Sequence, residues 1–239
     1  LKAGISPLKA DLSQNIIVDY GGPNVAKPMH VGHLRSSIIG ESINRLALYH
    51  GHKALGDIHM GDWGTQMGML IVGLKEKFPN LCYFDPDFEE NYPEKPPVTL
   101  DDLQNLYPHI SMRCKEDEAL ANEARLATYE LQSGRRGYRA LWQHFVDISV
   151  LDMRKNFSKL NVSFDQWFGE SRYQDRIPSM IDEYLRSGIA KKSQGALIID
   201  VAEEKDKKEV PPLILQKKDG GFLYATTDLA TIEERVCHF

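Results

Sequence analysis

The stretch from Asn15 to Gly51 constrains the fold more than any other part of the chain. Asn15-Ile-Ile-Val-Asp-Tyr20 is a short β-branched run of the kind that fills a buried parallel strand. Gly21, Gly22 and Pro23 then turn the chain. From His33 to Gly51, Leu34, Ile38, Ile39, Ile43, Leu46 and Ala47 recur at helical spacing, and Gly51 fits the stop. A turn that feeds a helix N-terminus is a ready place for phosphate, because free backbone N–H groups and the positive end of the helix dipole meet there. His30 and His33 stand at that point, three residues apart, so one opening turn aims both at the same ligand. Gly32 between them lets a flat base lie close to the backbone.

The alternation continues downstream. Lys53 to Ile58 reads as a second strand. Gly64 to Phe78 reads as a second helix, with Met67, Leu70, Ile71 and Leu74 on one face. Strand, helix, strand, helix implies an α/β fold with a parallel sheet and right-handed crossovers. Pro79, Pro86, Pro93, Pro96 and Pro97 make the next stretch a loop, and Leu100 to Leu160 reads as helical with a break at Gly134-Arg-Arg-Gly137. Pro178 to Ser187 is a further expected helix, with proline suited to its first turn. Ala196 to Val201 and Leu213 to Gln216 are expected strands. Asp219-Gly-Gly221 is a turn leading into Phe222 to Ala225, and Thr227 or Asp228 caps a helix through Arg235. The expected organisation is residues 1–78 as the first part of a nucleotide-binding domain, 79–135 as a mostly helical insertion, and 136–239 as the remainder of that domain.

Composition narrows the function classes. With 29 basic and 34 acidic residues the chain carries a formal charge of −5, so it is not a generally basic nucleic-acid binder, although a local patch can still steer RNA. Lys191-Lys192 and Lys205 to Lys208 are candidates for such a patch but read better as solvated, mixed-charge turns, and Arg135-Arg136 is similarly ambiguous. Three dispersed cysteines, Cys82, Cys114 and Cys237, support neither a disulfide framework nor a zinc knuckle, and a reducing cytoplasmic setting fits them. No apolar run approaches the roughly 18 residues that a membrane span needs. No signal peptide is visible at the start. Leu1 is not an initiator, and Phe239 falls at an expected helix, so the chain reads as a fragment truncated at both ends.

Four segments in order carry a resemblance. Pro23-Asn24 is followed by Ala26-Lys27 and Met29. Then come His30-Val31-Gly32-His33, and His59-Met60-Gly61-Asp62-Trp63-Gly64-Thr65-Gln66. Leu223-Tyr224-Ala225-Thr226-Thr227-Asp228-Leu229-Ala230 closes the set. Together they resemble the catalytic domain of the arginyl-tRNA synthetases, class I aminoacyl-tRNA synthetases marked by a His-Ile-Gly-His element. The resemblance implies a Rossmann-like parallel nucleotide-binding sheet, and ATP, L-arginine and an arginine-specific tRNA as substrates. It also implies a soluble, monomeric, cytoplasmic ligase. Magnesium is expected to accompany ATP, with no dedicated protein cage and no protein metal ligands.

The family chemistry joins the arginine carboxylate to the α-phosphate of ATP and expels pyrophosphate, and His30 and His33 are then donors to the charge that builds on the phosphate. Gly32 joins them in ATP binding. Lys27 matches a lysine that grips the phosphates where the family's later Lys-Met-Ser-Lys-Ser loop is degenerate; a solvated turn lysine is the alternative. Gly22, Pro23 and Asn24 match the family's Ser-Pro-Asn segment, which touches the amino acid. Gly22 replaces the serine, so only backbone contact carries over there, and Asn24 equally fits a plain turn. Tyr224 and Asp228 are implied arginine-pocket residues, since a carboxylate can answer the planar guanidinium bidentately; Asp228 also fits a mere helix cap. Glu170 in Phe168-Gly169-Glu170-Ser171 is a second implied acidic contact, or else a surface glutamate. His33 is expected to meet the amino acid as well. Asp62-Trp63-Gly64 reads mainly as packing beside the pocket. Outside the resemblance, a small-molecule nucleotidyltransferase and a non-catalytic synthetase-like module also fit the strand, His-x-Gly-His and helix.

Overall fold

The computed structural model describes residues 9–93, 95–203, 205–206, 208, 210–218 and 220–238. The chain divides into two compact units, Leu1–Gly169 and Glu170–Phe239.

The first unit is built on a three-stranded parallel sheet in the order β1 (Asn15–Asp19), β2 (Lys53–Met60), β3 (Gln166–Gly169). Asn15 lies opposite Lys53 and Asp19 opposite Asp57, while Asp57 to Met60 pair with Gln166 to Gly169. β1 and β2 are joined through helix α1 (Val31–Tyr49), the crossover that parallel pairing demands. Helix α2 (Thr65–Lys77) follows β2, and Met67, Leu70, Ile71 and Leu74 are fully buried as their spacing predicts. Among the described residues, the loop after α2 is irregular apart from a 3₁₀ turn, Cys82–Phe84, whose Tyr83 and Phe84 enter the core.

The expected long helical stretch is three helices: α3 (Leu100–Glu116), α4 (Glu118–Gln132) and α5 (Arg136–Lys159). The break at 134–137 is present. A second break, at Asp117, escaped the sequence reading: the Asp117 carboxylate caps α4 by accepting from the backbone N–H of Ala119 and Leu120. These helices and α2 enclose one core around Leu70, Leu103, Ile110, Leu131 and Phe145. A smaller core, including Ile58, Met60, Met153 and Phe157, joins β2 to α5.

α1 departs from its sequence pattern. Ile38, Ile39, Ile43 and Leu46 are about half exposed, and Ser37, Gly40, Glu41 and Asn44 are the buried residues. The reason is local. Tyr20, just past β1, lies so close to α1 that a Cβ on Gly40 would stand 2.2 Å from its Cβ. Its hydroxyl donates to Glu41 at 2.8 Å and to the Ser163 carbonyl at 2.7 Å. Glu41 also accepts from Arg45 Nε at 2.6 Å and the Ser163 N–H at 3.2 Å. Burial alone would raise the Glu41 pKa, but these bonds outweigh it and hold the carboxyl below its usual range. The helix therefore docks through a small, polar face.

The second unit is an antiparallel sheet, β4 (Ala190–Ser193), β5 (Ala196–Ile199) and β6 (Leu213–Gln216), with helices α6 (Ile177–Arg186) and α7 (Tyr224–His238). A 3₁₀ segment, Glu170–Arg176, opens it and runs along α7, tied by Arg172 to Glu234 at 2.8 Å and Arg176 to Glu233 at 3.5 Å. Phe222 to Ala225 is not a strand. The Lys217 N–H donates to the Gly221 carbonyl, Phe222 makes one bridge to Gln216, and α7 starts at Tyr224. The tight hairpin consumes the residues that a strand would have used. Of the expected turn at 219–221, Asp219 lies outside the described residues.

Candidate functional site

In the first unit the site begins where β1 ends. Gly21 and Gly22 adopt φ of +88° and +49°, turning the chain before it rejoins β2 one residue out of step with the β1–β2 register. Asn24 bridges Gly61, Gly61 donates to the Pro23 carbonyl at 3.2 Å, and Val25 donates to the Gly61 carbonyl at 3.0 Å. The Asn24 side chain lies directly on Gly61: a Cβ there would stand 2.1 Å from Asn24 Oδ1, so any larger residue would push the Asn24 amide out of this place. Pro23-Asn24 and Gly61-Asp62-Trp63-Gly64 are thus one physical object.

That object is clamped from the helices. Gln66 Nε2 donates to the Gly61 carbonyl at 2.7 Å, Trp142 Nε1 to the Asp62 carbonyl at 2.7 Å, and Gln132 Nε2 to the Trp63 carbonyl at 2.9 Å. Trp63 is buried, meets Trp142 edge-on, and carries the Arg139 guanidinium over its ring at 4.5 Å. Packing is what the Asp-Trp-Gly segment does here. Gln132, Arg139 and Trp142 escaped the sequence reading, and no local signal would have found them, since they come from α4 and α5 some 70 residues later.

His30 is the N-cap of α1. Its Nδ1 accepts from the Gly32 N–H at 3.1 Å, and His33 Nδ1 accepts from the His30 N–H at 3.1 Å, a reciprocal capping box made of two imidazoles. The rings lie 4.0 Å apart. This fixes their chemistry. An Nδ1 that accepts a hydrogen bond cannot carry the proton of a neutral ring, so each neutral ring holds its hydrogen on Nε2. Both histidines are thereby presented as Nε2–H donors at the positive end of a helix. Burial first, and the neighbouring His30 second, lower the His33 pKa, and the lowering favours the neutral donor form. His30 and Gly32 are exposed and His33 is half-buried, so a ligand can reach them. The sequence pattern starts the helix at His33 and misses this cap, because histidine is not among the usual capping residues. The i, i+3 spacing that also marks a Ser-x-x-Glu box was the available signal.

Lys27 precedes this cap. Its Nζ lies 4.4 Å from the centroid of the Tyr107 ring on α3. The preceding Ala26 takes a left-handed φ of +62°, and its N–H donates to Ser149 Oγ at 3.0 Å.

In the second unit, Glu170 is the first residue of the 3₁₀ segment and is half-buried. Tyr224 and Asp228 lie one turn apart on α7, both exposed and on the same face. Asp228 is inside the helix and is not its cap. Thr226, buried, anchors the start of α7 by donating to the Leu215 carbonyl at 2.6 Å.

Four of the basic candidates are engaged within the protein. Arg135 pairs with Glu130 at 2.7 Å and stacks on Tyr138, and Arg136 lies over Tyr92. Lys191 pairs with Asp200, and Lys205 with Glu203. Lys207 lies outside the described residues. Among the described residues no group of three or more His, Cys, Asp or Glu could hold a metal ion, and no helix is long and apolar enough to cross a membrane.

Comparisons with known proteins place the chain in a family. The chain is 50% identical over 228 residues to the arginine–tRNA ligase of Agathobacter rectalis, covering 95% of the chain and 38% of that relative. It is 53% identical over 223 residues to the arginine–tRNA ligase of Alkaliphilus oremlandii, covering 93% of the chain and again 38% of the relative. The chain thus spans about two-fifths of the length of these curated relatives. The crystal structure of arginyl-tRNA synthetase from Plasmodium falciparum superposes with a TM-score of 0.72 at 32% identity, over 92% of this chain and 34% of that one. The arginyl-tRNA synthetase of Thermus thermophilus shares the fold at a TM-score of 0.64 and 19% identity, over 95% of this chain and 37% of that one. The family model of the class I tRNA synthetases (R), catalytic domain, matches residues 3–239, and the chain belongs to that family.

Proposed function

We propose that this chain is part of an enzyme that ligates L-arginine to its tRNA. The arginine carboxylate attacks the α-phosphate of ATP, pyrophosphate leaves, and the arginyl group then passes from the adenylate to a hydroxyl at the tRNA 3′ end. The observation that carries the reading is the interlocked His30–His33 cap. As the α-phosphate is attacked, negative charge grows on its non-bridging oxygens. Two donors fixed in the Nε2–H form at a helix N-terminus need no reorganisation to meet that charge, and this kind of preorganised donor is the largest single contribution in such reactions. Lys27 would steady the departing pyrophosphate. Gly32 would leave room for the nucleotide.

Gly22, Pro23 and Asn24 are read as amino-acid contacts, with the Gly61 clamp holding Asn24 in place. Glu170, Tyr224 and Asp228 are read as arginine contacts on the family resemblance; the exposed Tyr224–Asp228 pair on one helix face supports it. Residues 79–135 are read as a helical insertion in the catalytic domain. Magnesium would enter with ATP, held by its phosphates, since this ion seldom relies on an all-protein cage. The free cysteines fit a cytosolic setting.

The test is arginine binding by calorimetry on a full-length enzyme carrying this sequence, with Asp228→Asn as the variant. A guanidinium facing a carboxylate loses about 2 kcal/mol when that charge-assisted pair is broken. Citrulline, which offers a carbonyl in place of one donor, should be rejected less strongly by the amide. Unchanged arginine affinity with α7 intact would remove Asp228 from the pocket. Absence of arginine-dependent aminoacylation by the wild type would remove the function.

A further inference from the structure

The geometry points to Tyr107 as a positioning residue for Lys27, so that helix α3 governs the phosphate side of the reaction; this rests on the phosphate role proposed above for Lys27. Three constraints converge on that lysine. Behind it, Ala26 is buried in a left-handed conformation that a side-chain-bearing residue rarely adopts, and its N–H is held by Ser149 Oγ, itself buried and bonded to the Phe145 carbonyl at 2.6 Å. Ahead of it, Pro28 disfavours a helical backbone at Lys27. Beside it, the Tyr107 ring takes the ammonium against its face at 4.4 Å. Tyr107 is in turn packed against the core shared by α2, α3, α4 and α5, so the ring is a fixed platform.

The consequence is preorganisation. A lysine loose in solvent samples many rotamers and gives them up on gripping a phosphate. A ring face that already holds the ammonium removes part of that loss in advance. It occupies one side of the group and leaves N–H donors on the other for phosphate oxygens. The hydroxyl of Tyr107 has no part in this, so phenylalanine should serve as well and an aliphatic residue should not.

The experiment is a double-mutant cycle in a full-length enzyme carrying this sequence, with aminoacylation measured as ATP is varied at saturating arginine and tRNA. Lys27→Ala should lower kcat/KM for ATP by about tenfold or more. Tyr107→Leu should lower it by about three- to tenfold with the arginine KM unchanged, and Tyr107→Phe should match the wild type. In the Lys27→Ala background, Tyr107→Leu should cost nothing further. If the Tyr107→Leu loss persists undiminished without the lysine, or if Tyr107→Phe is as damaging as Tyr107→Leu, the ring acts only through packing and the inference falls while the role of Lys27 stands. If Lys27→Ala leaves kcat/KM for ATP unchanged, the phosphate role itself is wrong, and the inference falls with it.

Discussion

On the phosphate role proposed above, His30 has two separable jobs, and asparagine divides them. The imidazole Nδ1 caps α1 by accepting from the Gly32 N–H at 3.1 Å, and the Nε2 edge is left to donate to phosphate. Asparagine is among the best N-cap residues, and its side-chain oxygen can accept the same N–H. The reciprocal bond, from the backbone N–H of residue 30 to His33 Nδ1, survives the substitution because it uses no side-chain atom of residue 30. His30→Asn should therefore leave stability within a few tenths of a kcal/mol, while removing one transition-state donor worth about 3 kcal/mol, or about 10²-fold in rate. His30→Ala loses the donor and the cap together, so a similar rate loss should come with about 1 kcal/mol of destabilisation. The assay is aminoacylation kinetics on the full-length enzyme beside thermal unfolding of each variant. Activity of His30→Asn within about threefold of wild type would show that the ring is a helix cap only. Equal destabilisation by asparagine and alanine would refute the capping geometry.

Three further expectations follow from the same region, each with a pH or steric readout. His33 is held neutral by burial and by its neighbour, so its folded pKa lies below the unfolded value near 6.5; the unfolded chain takes up the proton first, and this contribution to stability is complete above that value and lost as pH falls towards the folded pKa. The acid limb of kcat should accordingly lie below pH 6.5, and an inflection above it would contradict the neutral-donor assignment. Glu41 is depressed as well, so its advantage over Glu41→Gln, about 2 kcal/mol for a buried acceptor of three hydrogen bonds, should be present at pH 7 and shrink as pH drops through the folded pKa; a difference in urea midpoints that is flat down to pH 3 would sink it. Gly40→Ala gains about 1 kcal/mol of helix propensity but drives a Cβ to 2.2 Å from Tyr20 Cβ, which cannot swing away as a side-chain tip could; a net loss of about 2 kcal/mol or more in thermal unfolding is expected, and a stabilised variant would mean that α1 does not sit on Tyr20.

What the sequence made legible was whatever is periodic and local. β1, β2 and α2 lie where their patterns put them, and the buried face of α2 is the face its spacing names. The short strands β3 and β4 leave no signal, because Gln166-Trp-Phe-Gly169 and Ala190-Lys-Lys-Ser193 are four residues each and neither offers an alternation long enough to read. The residue types place the start of α7 too late for a different reason: Thr227 and Asp228 are good caps by type, but Thr226 reaches the Leu215 carbonyl on β6 and begins the helix earlier. In α1 the hydrophobic stripe located the helix and named the wrong face. Ser37, Gly40, Glu41 and Asn44 look like a solvent face until Tyr20 is seen to need a small residue and a carboxylate on that side.

The candidate site divides along the same line. The side chains that would react are contiguous in sequence and could be named from it, because their spacing on one helical turn is a local property. Their usefulness depends on three things that are not local. The hydrogen of each imidazole is assigned by a backbone N–H, which becomes visible only once His30 is known to be a cap. Asn24 is held by a glycine 37 residues later, whose loop is in turn gripped by Trp142 and Gln132. Lys27 is set by Ala26 on Ser149 and by the ring of Tyr107. Apart from Gly61, just after β2, and Gln66 on α2, the distant supports come from α3, α4 and α5. Helices α4 and α5 therefore hold the loops that bear the motif residues, and α3 meets Lys27 through Tyr107. If Lys27 has the phosphate role proposed above, a substitution there alters phosphate chemistry without touching a motif residue, and the Tyr107 cycle measures this directly: loss that vanishes when Lys27 is absent travels through the lysine, and loss that remains does not.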